Sequence, residues 1–368
     1  MTTSLLPEGL RDRLPPQADA AAAMLRAALD AIRSHGYDRV APPLAEYEEA
    51  LVGRLKAGTA RDLLRVVDPL SQRTLALRPD ITTQVGRIAA TRLHGRPRPL
   101  RLSYGGPVVK LRASQLRPER EMTQIGAELI GRDNAAAAAE IVRLAVESLH
   151  AAGARDITVD LTLPDLVETL AAGPLRLDPR RVAEVRTLLD AKDAGGLAAL
   201  GATAYLPLAE AAGPFAQALA RLRRFDGDGI LDARLTSLEV IAQAVGSRAT
   251  VTLDPTERHG FEYQSWLGFS LFAHGLAGEV GRGGSYTILH EDGREEPAVG
   301  FSIYPDPLLD AVPADDSGQR LFLPLGHDVE AAALLRQQGW ITVAAVDHEC
   351  AGQGCTHRLD SEGPVALT

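Results

Sequence analysis

Two cysteines and three lysines are all that this 368-residue chain has of either type, and only 4% of it is aromatic. Two thiols, Cys350 and Cys355, build no disulfide framework, so the fold must rest on apolar burial. No stretch approaches the ~18 or more uninterrupted apolar residues that span a bilayer. Residues Met1 to Glu8 lack the basic-then-apolar layout of a secretory signal. These absences predict a cytoplasmic protein with no membrane partner. Positive charge is also short, with 39 Lys plus Arg against 48 Asp plus Glu, a net charge of −9. Phosphate contacts need concentrated positive charge, so no nucleic acid is expected as a partner.

What is present is a hydrophobic share of 45%, enough for a large core and a smaller appendage. Met24, Leu25, Ala28, Leu29 and Ile32 recur at helical spacing, and Gly36 follows where a left-handed cap would close that helix. The apolar residues around Leu63 to Val67, then Leu75 and Leu77, predict a hairpin about Asp68-Pro69. Pro79 suits the first turn of a further helix, with Ile81, Val85 and Ile88 on one face. Leu100 to Val109 is expected as a strand interrupted at Gly105-Gly106-Pro107, returning through Met122 to Ile130. Asp133 or Asn134 caps a helix from Ala135 to Leu149. Residues 165 to 245 are mostly helical, and strands resume from Ala249 to Ile303. A Pro-Asp-Ser-Gly linker at 313–318 precedes a small strand–helix–strand module. The fold class is therefore α+β, an antiparallel sheet with helices beside it. The expected domains are residues 1–312 and a small C-terminal α/β module over 319–368.

The order of several short motifs resembles the class II aminoacyl-tRNA synthetase fold, and specifically the catalytic core of histidyl-tRNA synthetase. Leu77-Arg78-Pro79-Asp80-Ile81-Thr82 is similar to the family's Leu-Arg-Pro-Glu-Gly-Thr. Tyr104-Gly105-Gly106-Pro107-Val108-Val109-Lys110 is similar to its motif 2 strand, and Thr123-Gln124-Ile125-Gly126-Ala127-Glu128 to the returning strand. Arg258 to Tyr263 resembles a degraded histidine-specific element. Gly283-Gly284-Ser285-Tyr286 is similar to Gly-Gly-Arg-Tyr, and Gly300-Phe301-Ser302-Ile303 to the opening of motif 3.

A pocket for free histidine must meet an ammonium, a carboxylate and an imidazole. Asp80 supplies an anion for the ammonium, with Thr82 and Gln124 beside it. Glu128 can accept an imidazole N–H, with Tyr263 or Tyr286 completing that contact. Gln124 and Glu128 are four apart, so a strand turns both to one side. The resemblance places Arg258 near the carboxylate and Lys110 at the motif 2 arginine position. A blander reading pairs Arg78 with Asp80 across a helix start and leaves Gln124 and Glu128 on an exposed strand face.

The resemblance also shows losses. Nucleotide activation requires guanidinium forks that lysine does not replace. Lys110 stands at the motif 2 arginine position and Pro307 at that of motif 3, where Pro305 and Pro307 are expected to disturb the helix start. A pocket without its nucleotide grip resembles the family of ATP phosphoribosyltransferase regulatory subunits, paralogues of histidyl-tRNA synthetase. That resemblance implies a non-catalytic chain without cofactor. It implies a hetero-oligomer with the short catalytic subunit around a homodimer core, and L-histidine as the allosteric ligand. The family role is activation of the partner and feedback inhibition in the first step of histidine biosynthesis. Two other readings remain: an active histidyl-tRNA synthetase-type ligase, which Pro307 opposes, and a tRNA- or macromolecule-binding protein, which the acidic charge opposes. His348, Cys350, Cys355 and His357 offer zinc-type donors, but free thiols and no metal are expected. Gly281 to Gly284 is expected as a tight turn between strands, not a phosphate cradle.

Overall fold

The computed structural model describes residues 6–52, 63–111, 119–257, 264–311, 318–348, 352, 354–361 and 363–367. It divides into two compact units, residues 1–311 and 312–368.

In the first unit, α1 (Gln17–Ser34) buries Met24, Ala28, Leu29 and Ile32 on one stripe, and Gly36 takes φ +81° just beyond it. Short strand β1 (Asp38–Arg39) follows. β2 (Ala45–Tyr47) leads into α2 (Glu48–Val52). The predicted hairpin forms as β3 (Leu64–Val67) and β4 (Thr74–Leu77), which with β2 make a three-stranded sheet. α3 (Thr82–Thr91) begins three residues later than Pro79 suggested. Asp80 sets that start, because its Oδ1 accepts the Thr82 N–H at 2.6 Å. The buried face of this segment is Ile81, Val85 and Ala89.

β5 (Leu100–Val109) and β6 (Glu121–Ile130) pair without a break. The expected interruption at Gly105-Gly106-Pro107 is absent because both glycines admit close neighbours. A Cβ at Gly105 would stand 2.8 Å from a Leu25 methyl, and one at Gly106 2.6 Å from Arg78 Nη2. Asn134, not Asp133, caps α4 (Ala135–Ala151) by accepting the Ala137 N–H at 3.0 Å. After β7 (Thr158–Thr162) come helices α5 (Leu166–Ala172), α6 (Pro179–Asp190), α7 (Ala194–Ala199) and α8 (Leu206–Ala209). Then follow β8 (Gly213–Pro214), α9 (Phe215–Phe225), α10 (Asp232–Val245) and β9 (Thr250–Leu253). β10 (Gln264–Phe272), β11 (Gly281–Leu289), β12 (Glu295–Ile303) and α11 (Asp306–Ala311) complete the unit.

Among the described residues the large sheet has nine strands in the order β1-β5-β6-β12-β11-β10-β7-β9-β8. Its long central pairs are antiparallel, while β1–β5 and β7–β9 run parallel. Strand alternation divides its residues between two faces. Ile125, Ala127, Leu129, Phe269, Val299 and Phe301 join α1, α4 and the helices after β7 in the main core. Leu102, Tyr104, Val108, Met122, Ile130 and Tyr286 pack with Ile81 and Val85 on the other side. Gly281–Gly284 lies within β11, not in a turn. Cβ atoms at Gly281 and Gly283 would meet the carbonyls of Ser302 and Gly300 at 2.9 and 2.3 Å. The helix after motif 3 also forms, since Pro307 occupies the first turn, where its missing N–H has no intrahelical partner to lose.

The second unit contains β13 (Arg320–Leu323), α12 (Val329–Gln337) and β14 (Ile341–Ala344). Two strands beyond the expected strand–helix–strand, β15 (His357–Leu359) and β16 (Pro364–Ala366), widen its sheet to the order β14-β13-β15-β16. Its core joins Leu321, Leu323 and Ala332 to Leu335, Trp340 and Leu359. Cys355 is a free thiol and the His357 ring meets Trp340 edge-on, while Cys350 lies outside the described residues. Among the described residues no group of three or more His, Cys, Asp or Glu is arranged to hold a metal, and no helix is long and apolar enough to cross a membrane.

One polar tie joins the sheet to its helical layer. Glu140 of α4 accepts from Arg101 Nε and Nη2 at 2.7 and 2.9 Å, and from the buried Tyr37 hydroxyl at 2.8 Å. Glu140→Ala leaves that phenol without its carboxylate acceptor, and is expected to lower unfolding free energy by about 1–3 kcal/mol in urea denaturation.

Candidate amino-acid pocket

The second face of the sheet carries a row of adjacent residues, set by register: Leu102, Glu128, Gly300, Gly284, Gly268 and Thr162. Gly300, Gly284 and Gly268 are buried side by side next to Glu128. Gly300 is the tightest of them. A Cβ there would lie 1.6 Å from Glu128 Oε2 and 2.8 Å from the Ala127 carbonyl, so only glycine admits the glutamate. The next row runs Tyr104, Gly126, Ser302 and Arg282. A Cβ on Gly126 would stand 2.3 Å from the Tyr104 hydroxyl, so that glycine lets the ring lie between Gln124 and Glu128.

Gln124 and Glu128 are buried on this face, and not on an exposed one. Gln124 Oε1 accepts the Ile81 N–H at 2.8 Å, while Nε2 donates to Asp80 Oδ2 at 3.0 Å and to Ser302 Oγ at 2.7 Å. Glu128 accepts from the Tyr104 hydroxyl at 3.0 Å and from the Tyr286 hydroxyl at 2.8 Å. Thr82 Oγ1 and Ser302 Oγ each lie 3.0 Å from the Tyr104 hydroxyl. Asp80, Thr82, Gln124, Glu128 and Tyr286 thus share one polar cluster. Arg78 does not pair with Asp80. It is buried, and donates to the carbonyls of Pro107 and Pro42, each at 2.8 Å, which pins β5 to the Pro42-Pro43 segment.

Lys110 is exposed, with Nζ 5.8 Å from the Tyr304 ring centre, and its charge acts on Asp80 from the edge of the cluster. Arg258 and Tyr263 lie outside the described residues. Tyr104 and Ser302 belong to the cluster although the motif reading did not single them out. Their signal was the glycine between Gln124 and Glu128, which leaves room for a side chain from each neighbouring strand.

Burial dominates the electrostatics. It pushes the Glu128 carboxyl up to about 8, against the lowering effect of the Tyr286 and Tyr104 hydrogen bonds, and the Asp80 charge raises it further. Burial also raises the Asp80 carboxyl, with Thr82, Gln124 and Lys110 opposing. Two carboxylates short of solvation in one cluster favour a cationic or N–H-rich ligand. At the motif 3 end a carboxylate is already paired. Asp306 is buried next to Pro307, accepting the Thr123 N–H at 2.8 Å and pairing with Arg13 at 2.7 Å.

Residues 9–308 match the family described as histidyl-tRNA synthetase. A solved structure titled ATP phosphoribosyltransferase regulatory subunit/histidyl-tRNA synthetase, from Bacillus halodurans, superposes with a TM-score of 0.80 at 24% identity, covering 95% of this chain and 96% of that one. A histidyl-tRNA synthetase from Nostoc superposes at 0.79 with 16% identity, covering 98% and 92%. The family match and the fold together therefore define a class II, histidyl-tRNA synthetase-like protein. Among sequence relatives, the ATP phosphoribosyltransferase regulatory subunit of Paramagnetospirillum magneticum is 42% identical, covering 99% of this chain and 98% of its own length. That of Rhodospirillum centenum is also 42% identical, covering 96% and 94%. The chain belongs to the family of ATP phosphoribosyltransferase regulatory subunits, and its role is regulatory, not catalytic.

The raised Glu128 carboxyl has a consequence for stability. Its folded-state value of about 8 exceeds its ordinary value of 4.5, so the folded chain holds this proton more tightly than the unfolded chain. The stability it contributes is full below pH ~4.5 and is lost as pH rises to ~8. Urea unfolding at pH 5 and pH 8 is expected to show a steeper loss for the parent than for Glu128→Gln. Parallel losses contradict this.

Proposed function

We propose that the chain senses free L-histidine for a hetero-oligomeric ATP phosphoribosyltransferase, activating the short catalytic subunit and relaying feedback inhibition in the first step of histidine biosynthesis. The observation that carries this reading is the pair of carboxylates in one buried cluster, Asp80 and Glu128, linked through Gln124, Ser302 and Tyr104. Asp80 is suited to the ammonium of a free amino acid, and Glu128 to an imidazole N–H. Lys110 at the rim, with Arg258 and Tyr263 by family resemblance, completes the proposed ligand set. L-histidine acts as an allosteric ligand, and no cofactor is required.

The same residues support sensing over ligation. Lys110 and Pro307 stand where, by family resemblance, nucleotide activation uses guanidinium. Family names pair such a chain with a catalytic partner. We take the assembly to be cytoplasmic and to be built on a homodimer core. Histidine then shifts the complex between two states through a coupling of about 1–3 kcal/mol, a change of about 5–150-fold in apparent affinity or activity.

Co-expression with a short-form phosphoribosyltransferase is expected to raise its activity, and L-histidine to lower it again. In calorimetric titration, Asp80→Asn is expected to weaken histidine binding by about tenfold or more, since a charge-assisted contact is worth about 1.5–3 kcal/mol. Absence of histidine binding to both the chain and its complex refutes the sensing role.

A further inference from the structure

A strand at the edge of a sheet presents a row of backbone N–H and C=O groups that can recruit another strand. Proteins blunt such edges with very short strands, charged residues or proline. The described residues form three sheets, each with two edges. β1 is two residues long and both are charged, Asp38-Arg39. β8 is Gly213-Pro214, equally short and carrying a proline. β2 contains Glu46, β3 contains Arg65 and β16 opens on Pro364. β14 is the exception. Its residues Ile341-Thr342-Val343-Ala344 include no charge and no proline, and Ala345 and Val346 prolong the neutral run. Ile341, Ala344 and Val346 are exposed.

The backbone gives this edge a defined register. Ile341 N–H donates to the Gln319 carbonyl at 3.1 Å and Ala345 N–H to that of Leu323 at 2.9 Å, both on the β13 side. Alternation then turns the N–H and C=O of Thr342 and Ala344 outward. An antiparallel partner meets both residues when Thr342 lies opposite Ala344, with Val343 midway. β14 itself fits that requirement, because pairing 342 with 344 is unchanged when the two strands are exchanged. A two-fold contact of this kind covers both exposed edges at once. With no charge from Ile341 to Val346, two copies set no like charges opposite each other along the strand. The nearest charges in sequence on either side, Arg336 and Asp347, differ in sign. Arg336 Nη1 donates to Thr342 Oγ1 at 3.1 Å, which keeps that cation at the edge. The same register brings Asp347 of one copy level with Gly339 of the other, just past the α12 turn that carries Arg336.

We propose that β14 is an assembly edge, pairing antiparallel with β14 of a second copy of this chain about a two-fold axis at Val343 and so doubling the four-stranded sheet. Thr342 and Ala344 of each copy exchange main-chain hydrogen bonds with Ala344 and Thr342 of the other, about four in all. So short a contact works beside others, gaining from the effective concentration that they supply. The small module benefits in turn, because its own core joins few residues, Leu321, Leu323 and Ala332 with Leu335, Trp340 and Leu359. The inference is independent of histidine sensing and draws nothing from the cluster at Asp80 and Glu128.

The test is a register-specific crosslink in the full chain, with Cys350→Ser and Cys355→Ser removing the native thiols. Val343 on the axis faces its own copy as a non-hydrogen-bonded pair, with Cα atoms ~4.5 Å apart, within the span of a disulfide. Val343→Cys is therefore expected to oxidise to a covalent dimer. Ile341→Cys, opposite Ala345 and far from its own copy, is expected to do so at least tenfold more slowly. Adding Ala344→Pro, which deletes an outward N–H, is expected to suppress the Val343→Cys crosslink by tenfold or more. Ala344→Lys keeps that N–H and adds a charge to the edge, and is expected to act in the same direction if the proline disturbs the module. Hydrogen exchange over 341–346 is expected to slow as the parent is concentrated, and not in Ala344→Pro. No covalent dimer from Val343→Cys, or equal rates for both cysteines, overturns the proposal. So does protection of 341–346 that appears only when a short phosphoribosyltransferase chain is added, since the edge then serves a different strand.

Discussion

A carboxylate withdrawn from water costs several kcal/mol unless donors converge on it, and much of the pocket's architecture follows from meeting that cost at Glu128. Two phenols donate to it, one from each side. Two glycines make this possible, Gly300 by admitting the carboxylate and Gly126 by admitting the Tyr104 ring. Ser302 lies 3.0 Å from that ring's hydroxyl and accepts from Gln124, while Asp80 accepts from Gln124 and from the first N–H of α3. Removing any one member leaves a buried polar group with a missing partner, so the cluster behaves as a unit and not as a set of separate contacts.

The parts of this site that sequence revealed are those governed by strict local periodicity. Gln124 and Glu128 had to share a face because strand parity admits no alternative, and Asp80 and Thr82 came with the segment that begins α3. Tyr104 and Ser302 depended on cross-strand register, which is fixed by neighbours more than twenty residues away. Lys110 fell at the rim because β5 ends there. Arg258 and Tyr263 lie outside the described residues, so their place is a matter of resemblance.

The fold was legible for a related reason. Apolar spacing marked α1, α4 and the long strands, and the order of short motifs along the chain carried the resemblance that implied the sheet. Proline and glycine misled more than any other residues. Pro79, Gly105-Gly106-Pro107 and Pro307 were given their usual local meanings. Other constraints outweighed each: the Asp80 side chain accepting the Thr82 N–H, the close approach of Arg78 and Leu25, and a helix first turn that tolerates an imino acid. β15 and β16 are three residues each, too short for alternation to stand out. One architecture serves both synthetases and regulatory subunits, since function is set by the site and not by the fold.

The glycine beneath Glu128 has an evolutionary corollary. The carboxylate lies where any Cβ at Gly300 would stand, so neither position can drift freely of the other. A larger residue at 300 would first have to wait for a shorter one at 128. The two sites, far apart along the chain, are locked into a single inherited unit.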